Sequence, residues 1–154
     1  MIHIRSAGEI EKISKACQIV KETLEMVEDL ISPGVTTLEL DSEAEKFIIS
    51  KGAKPGFKGL YGFPATLCVS INDEVVHGIP KDRVLKDGEI ISVDVGSIVD
   101  GYYGDHAKSF AVGQIEAERK KLMDVTRECL MLAIEQAVPG NRIGDISDAV
   151  QIKA

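Results

Sequence analysis

The sequence predicts an α+β fold in which two amphipathic helices precede an antiparallel sheet and a second helical hairpin follows it. Apolar residues recur at helical intervals over residues 10–48, strand-like runs flank a turn at Asp100-Gly101, and helical periodicity returns over residues 114–154. The 154 residues, 44% of them hydrophobic and 28% charged, can bury roughly two-thirds of the unfolded surface. We therefore expect a single globular domain.

Capping residues and helix breakers delimit the two opening helices. Ser6 and Thr36 are each followed three residues later by Glu, which is the spacing of a capping box. The first helix should end at Pro33-Gly34 and the second near Gly52. The apolar positions at helical spacing are Ile10, Ile13, Cys17, Val20, Leu24, Val27 and Ile31, then Leu40, Ala44, Phe47 and Ile48.

The predicted sheet follows a connection rich in Gly and containing Pro over residues 54–61. A tight turn is expected at Asn72-Asp73, and Asp100-Gly101 is a strong hairpin turn. The segments with strand-like content are residues 66–71, 74–77, 89–95 and 102–112.

The sequence pattern predicts that the opening helical hairpin is repeated at the end of the chain, because Pro33-Gly34 and Pro139-Gly140 occupy equivalent places in the two patterns. We therefore predict that residues 1–113 are one helix-helix-sheet half and that residues 114–154 are the first two helices of a second half. The alternative is that any two amphipathic hairpins joined by Pro-Gly align in this way. The apolar pairs that match at the same offset are Ile19 with Val125, Leu24 with Leu130, Val27 with Ala133, Leu40 with Ile146 and Ala44 with Val150.

The charge and cysteine content exclude several classes of protein. A net charge of -7 and a pI near 5.0 give no field that favours nucleic acid or anionic lipid. No apolar run approaches the roughly 18 residues that a membrane span needs. Cys17, Cys68 and Cys129 have no metal-type or redox spacing, which indicates reduced thiols and a cytoplasmic location.

Two aspartates on the predicted hairpin are the strongest candidates for chemistry. Asp94 lies in an apolar strand, where an unpaired carboxylate is expensive to bury. If the turn is Asp100-Gly101, Asp105 is the diagonal neighbour of Asp94, and if the turn is one residue earlier the two face each other directly. Both registers put the carboxylates on one face at roughly 5 to 8 Å, which suits metal ions ~3.5 to 4 Å apart. The alternative is that Asp94 pairs with a lysine and Asp105 belongs to a loop.

His77 is predicted to follow a short strand and to lie at a turn that can expose the imidazole to a cleft. By itself, a histidine at such a place is more often a hydrogen-bonding residue of the surface or turn than a catalytic one. Neither His3 nor His106 is expected to be a ligand of the same centre.

Three segments together resemble type I methionine aminopeptidase, a metal-dependent hydrolase of the pita-bread fold. They are NDEVVHGIP over residues 72–80, DVG over residues 94–96 and YGD over residues 103–105. The resemblance extends over essentially the whole chain. It implies two similar helix-and-sheet halves, which agrees with the internal repeat.

The resemblance also implies roles for individual residues. Asp94 would be a bidentate ligand of one metal, Asp105 would bridge two metals, and His77 would be the catalytic histidine that steadies the scissile amide. The pocket for the substrate methionine would include His77 and four further residues, whose alternative role is core packing: Phe57, Leu60, Phe63 and Cys68.

The family activity that the resemblance implies is removal of the N-terminal methionine from nascent peptides by two divalent cations, which can be manganese, iron, cobalt or zinc. The family completes its metal site with one histidine and two glutamates of the second half, and none can be assigned in this sequence. We therefore expect a truncated site that binds metal weakly and cleaves peptides slowly or not at all. Two tight manganese sites in a calorimetric titration would contradict this expectation.

Two alternatives remain open from the sequence. One is a proline-specific peptidase of the same fold, although such enzymes usually carry an additional N-terminal domain. The other is a non-catalytic half-fold or binding module. A half-fold should expose apolar surface, so association of copies into a homo-oligomer is expected.

Overall fold

The computed structural model describes residues 3–154, which divide into two compact units, the first extending to Gln114 and the second formed by Ile115–Ala154. The first unit contains two helices and a four-stranded antiparallel sheet, and the second contains two helices. No helix in the described part of the chain is long and apolar enough to cross a membrane.

The first unit opens with α1 (Ala7–Leu30) and α2 (Thr37–Ser50), whose starts are as predicted. Thr36 forms the capping box, because its hydroxyl accepts from the Glu39 N–H at 3.2 Å and its own N–H donates to the Glu39 carboxylate at 2.7 Å. The helix α1 ends at Leu30, slightly before the predicted stop at Pro33-Gly34.

The sheet consists of β1 (Lys54–Pro55), β2 (Leu67–Ile71), β3 (Ile90–Val99) and β4 (Tyr102–Ala111). Strand β3 is central, with β4 along one edge and both β1 and β2 along the other. The predicted hairpin turn is confirmed, since Asp100 and Gly101 both have positive φ, at 50° and 83°. These values match a two-residue turn of the type that suits twisted strands.

The prediction of a strand over residues 74–77 is wrong, because this segment is irregular. Asn72 turns the chain at φ 56°, and His77 has φ 59°, which an extended strand does not allow. The Ile71 N–H donates to the Glu74 carboxylate at 2.8 Å. Local side-chain bonding therefore competes with the strand ladder in this segment.

Helices α1 and α2 cover one face of the sheet and form the core with it. The Ser97 hydroxyl donates to the Ala16 carbonyl at 3.0 Å, which ties β3 to α1. Gly104 lets the helix approach β4 closely, because a Cβ there would lie 2.5 Å from the Cys17 nitrogen. The largest fully buried side chains include Leu40, Ile48, Leu67, Ile71, Leu85 and Ile91.

The second unit is a hairpin of α3 (Ala117–Gln136) and α4 (Ile143–Lys153), so the predicted return to helix is confirmed. Within residues 115–154, all of which the structure describes, Cys129 is the one buried residue. Large apolar side chains such as Ile143 and Ile152 are about four-fifths exposed, at 80% and 79%. The second unit therefore has little apolar core of its own.

Candidate metal centre

Every site residue predicted from the sequence lies on one cavity of about 460 Å³ in the first unit. Besides these seven residues, four residues that the sequence analysis did not single out also line the cavity. The complete lining is Phe57, Leu60, Tyr61, Gly62, Phe63, Pro64, Cys68, His77, Ile79, Asp94 and Asp105.

The strand register determines how the two aspartates meet. Gly96 is the Cα partner of Asp105, and Asp94 is the partner of Ala107. Asp105 is therefore the diagonal neighbour of Asp94 on the same face, and the alternative register with directly facing aspartates does not occur. Cys68 of β2 is the Cα partner of Asp94 on the other side.

The surroundings of Asp94 disfavour its negative charge, so a bound cation would stabilise this carboxylate. Its Oδ1 is buried and has no hydrogen-bond partner within residues 3–154. Burial, assisted by the negative charge of Asp105, raises the pKa of Asp94 to about 6, and His77 opposes this shift. A cation between the carboxylates would remove their repulsion and give the buried oxygen a partner, so the residues present fit a divalent metal ion.

The thiol of Cys68 lies in surroundings that disfavour its charged form in the metal-free protein. Burial, together with the charges of Asp94 and Asp105, raises its pKa to about 11. It therefore stays protonated at neutral pH and forms part of the apolar wall. Within residues 3–154, no group of three or more His, Cys, Asp or Glu side chains is arranged to hold a metal ion.

His77 is exposed and is held by backbone contacts that its neighbour makes with β2. The Val69 N–H donates to the Gly78 carbonyl at 2.8 Å, and the Gly78 N–H donates to the Ser70 hydroxyl at 3.3 Å. A Cβ on Gly78 would lie 2.0 Å from the Val69 oxygen. Only glycine can therefore bring the chain this close to β2 and leave His77 at the cavity.

An ion-pair network supports the same segment from the other side. Arg83 contacts Glu74 at 3.0 Å and Glu89 at 3.2 Å. These side chains are partly exposed, so the network contributes more to geometry than to stability.

Replacing Gly78 with Ala is expected to lower the free energy of unfolding by about 2 kcal/mol, because the new methyl group meets backbone and not a movable side chain. Urea unfolding measures the loss. Gly8→Ala is the control, since a Cβ on Gly8 has nothing within 4 Å. Equal stabilities of the two variants would contradict this account of the His77 segment.

The connection from β1 to β2 forms the apolar wall of the cavity. Residues 57–63 are closed by the Gly59 N–H, which donates to the Phe63 carbonyl at 2.8 Å. Lys58 pairs with Glu45 of α2 at 2.7 Å. Tyr61 has φ 49° and is fully exposed at the cavity mouth.

The sequence analysis missed several lining residues for different reasons. Ile79 lies within the motif over residues 72–80, so its position beside His77 could have indicated it. Tyr61, Gly62 and Pro64 belong to an irregular connection, where no periodicity predicts which side chains face a cavity.

An antiparallel hairpin that carries two carboxylates, with an imidazole from a neighbouring segment on the same cavity, is the arrangement of a metal-dependent hydrolase. The sequence model of metallopeptidase family M24 matches residues 11–153. The chain therefore belongs to this family.

The most similar relatives include methionine aminopeptidases. The enzyme of Clostridium acetobutylicum is 53% identical over 152 residues, which are 98% of this chain and 61% of the relative. Methionine aminopeptidase 1 of Bacillus subtilis is 47% identical over 98% of this chain and 61% of its own length. The chain thus spans about 61% of the length of these relatives.

Solved structures show the same fold. Methionine aminopeptidase from Rickettsia prowazekii superposes with a TM-score of 0.97 at 39% identity, over 99% of this chain and 62% of that one. Prolidase from Pyrococcus furiosus gives 0.87 at 22% identity, over 97% and 43%, which is a likeness of fold alone. The predicted α+β pita-bread fold and the resemblance to methionine aminopeptidase are confirmed.

Proposed function

We propose that this chain acts in the metal-dependent removal of N-terminal methionine from nascent peptides. The observation that carries the proposal is the pair formed by Asp94 and Asp105, which lie on one face of a hairpin and line one cavity. The buried Asp94 Oδ1 without a partner is the atom that most needs a cation.

In this proposal Asp94 and Asp105 hold divalent cations, which can be manganese, iron, cobalt or zinc. Bound cations of this kind polarise a peptide carbonyl and lower the pKa of a coordinated water. His77, exposed at the cavity, donates a hydrogen bond that orients the scissile amide.

The apolar side of the cavity receives the methionine side chain. Its walls are aromatic and aliphatic, and Leu60 among them is 47% exposed. An apolar side chain suits such a pocket, because burial of each methylene contributes about 0.8 kcal/mol. The proposed lining residues are Phe57, Leu60, Phe63, Cys68 and His77.

We expect the chain by itself to bind these cations weakly. Two carboxylates offset only half the charge of two dications, and the residues that the structure describes include no larger ligand group. Calorimetric titration with manganese should therefore show weak binding, with slow peptide cleavage.

The function is tested by release of the first residue from Met-Ala-Ser, Leu-Ala-Ser and an Xaa-Pro peptide in the presence of manganese. We expect slow cleavage that favours Met-Ala-Ser and is lost in Asp105→Asn. Preference for the Xaa-Pro peptide, or cleavage that survives in Asp105→Asn, would overturn the proposal.

Three further features belong to this proposal. Residues 1–113 and 114–154 correspond to parts of two structural repeats. The compartment is the cytoplasm, where nascent chains begin with methionine. Copies of the chain associate through exposed apolar side chains of the second unit, such as Ile143 and Ile152. Sedimentation velocity over a range of concentrations should show self-association, and a strictly monomeric species would contradict it.

A further inference from the structure

Gly96 lies on the strand that carries Asp94 and packs against Phe57, which lines the cavity. It follows Asp94 by two residues on β3, is the Cα partner of Asp105, and is buried. Any side chain at this position would project on the face that carries both carboxylates. The ring of Phe57 takes the space of that missing side chain. A Cβ on Gly96 would lie 2.7 Å from Phe57 Cε1 and 3.1 Å from Cδ1.

The backbone beneath the ring cannot retreat to make room. The Gly56 N–H donates to the Gly96 carbonyl at 2.8 Å, and a Cβ on Gly56 would lie 2.8 Å from the Gly96 carbonyl carbon. Pro55 pairs with Ser97 in the adjacent ladder position. The two chains therefore touch backbone to backbone, and a side chain added at Gly96 must displace the Phe57 ring.

We propose that Gly96 is a specificity-determining residue, which admits the Phe57 ring onto β3 and thereby sets the depth of the apolar side of the cavity. The inference rests on the proposed function, because it takes the cavity as the site of the first side chain of a peptide. A methyl group at position 96 would push the ring toward the cavity interior and shorten the side chain that the cavity accepts. Trimming the ring in the same protein would restore the space.

The packing part of this proposal is tested by melting temperatures of the complete chain. Gly96→Ala should lower the melting temperature by roughly 5–10 °C. The double variant Gly96→Ala/Phe57→Leu should melt clearly higher than the sum of the two single effects predicts. Gly104→Ala is the control, because a Cβ there meets the backbone of α1, and its effect should add to that of Phe57→Leu.

The specificity part is tested by measuring, by NMR titration, the affinities of L-methioninamide and of L-norvalinamide. The side chain of L-norvalinamide is one heavy atom shorter. Wild type should prefer L-methioninamide. Gly96→Ala should bind it roughly fourfold to tenfold more weakly and prefer L-norvalinamide, because about one methylene of depth is lost. The double variant should regain the wild-type preference.

The outcomes separate the two proposals. Suppose that L-methioninamide binds wild type. If the melting-temperature changes of Gly96→Ala and Phe57→Leu are additive, or if Gly96→Ala weakens the binding of both amides equally, the role of Gly96 is overturned and the proposed pocket stands. If L-methioninamide does not bind wild type at all, the pocket of the proposed function and the specificity role are both overturned.

Discussion

Asp94→Asn is expected to stabilise the metal-free protein above pH 6 and to abolish its binding of manganese. Burial and the neighbouring Asp105 raise the pKa of Asp94 from 3.8 to about 6. The folded state therefore binds this proton more tightly than the unfolded state, and the free energy of unfolding falls as the pH rises through this window. Above pH 6 the ionised carboxylate destabilises the fold by about 2 kcal/mol, after allowance for partial exposure.

The measurement is urea unfolding in the presence of a chelator at pH 4 and at pH 8. Wild type should lose stability relative to Asp94→Asn between the two pH values, while manganese titrated at pH 8 should bind wild type and not the variant. Asp73→Asn is the matched control, because Asp73 is exposed in the turn after β2. A constant difference between wild type and Asp94→Asn across this pH range, or undiminished manganese binding by the variant, would refute the assignment of Asp94.

Asp41→Ala is expected to lower the free energy of unfolding by about 3–4 kcal/mol, while Asp41→Asn changes it by less than about 1 kcal/mol. The buried Asp41 Oδ1 accepts from the Thr66 N–H at 2.9 Å and from the Leu67 N–H at 2.7 Å. These bonds hold the start of β2 against α2. Alanine leaves both buried donors without a partner, which is costly, whereas asparagine keeps an oxygen in the same place.

Urea unfolding at pH 7 compares the two variants directly. Asparagine also removes a charge whose burial raises the pKa of Asp41, so its small cost has an electrostatic compensation. If alanine and asparagine have the same effect, the two backbone bonds do not stabilise the start of β2. Because β2 carries Cys68, Asp41→Ala should also disturb the amide resonances of residues around the cavity.

The local elements were predictable because their causes lie within a few residues. The capping box at Thr36 and the turn at Asp100-Gly101 depend on hydrogen bonds and positive φ values between near neighbours. That turn also determines the diagonal relation of Asp94 and Asp105, since a two-residue loop leaves one register. The face shared by the two carboxylates could thus be predicted before their surroundings were known.

The segment that carries His77 shows where such reasoning fails. Val75 and Val76 favour a strand by propensity, but the bond of Glu74 to Ile71 and the bonds of Gly78 to β2 hold this segment in an irregular path. The consequence is an exposed imidazole with φ 59°. The expected position of His77 beside the cavity is observed, although the element predicted to place it is absent.

By itself the sequence determined the four helices, the turn of the main hairpin and the placement of two acidic side chains on one face, because periodicity, capping and turn chemistry act locally. The tertiary structure decided the burial of the Asp94 oxygen, the shift of its pKa and the packing of Phe57 on Gly96. These features depend on contacts between segments far apart in the chain, for which no local pattern exists. They therefore appear only when β1, β2 and β3 come together.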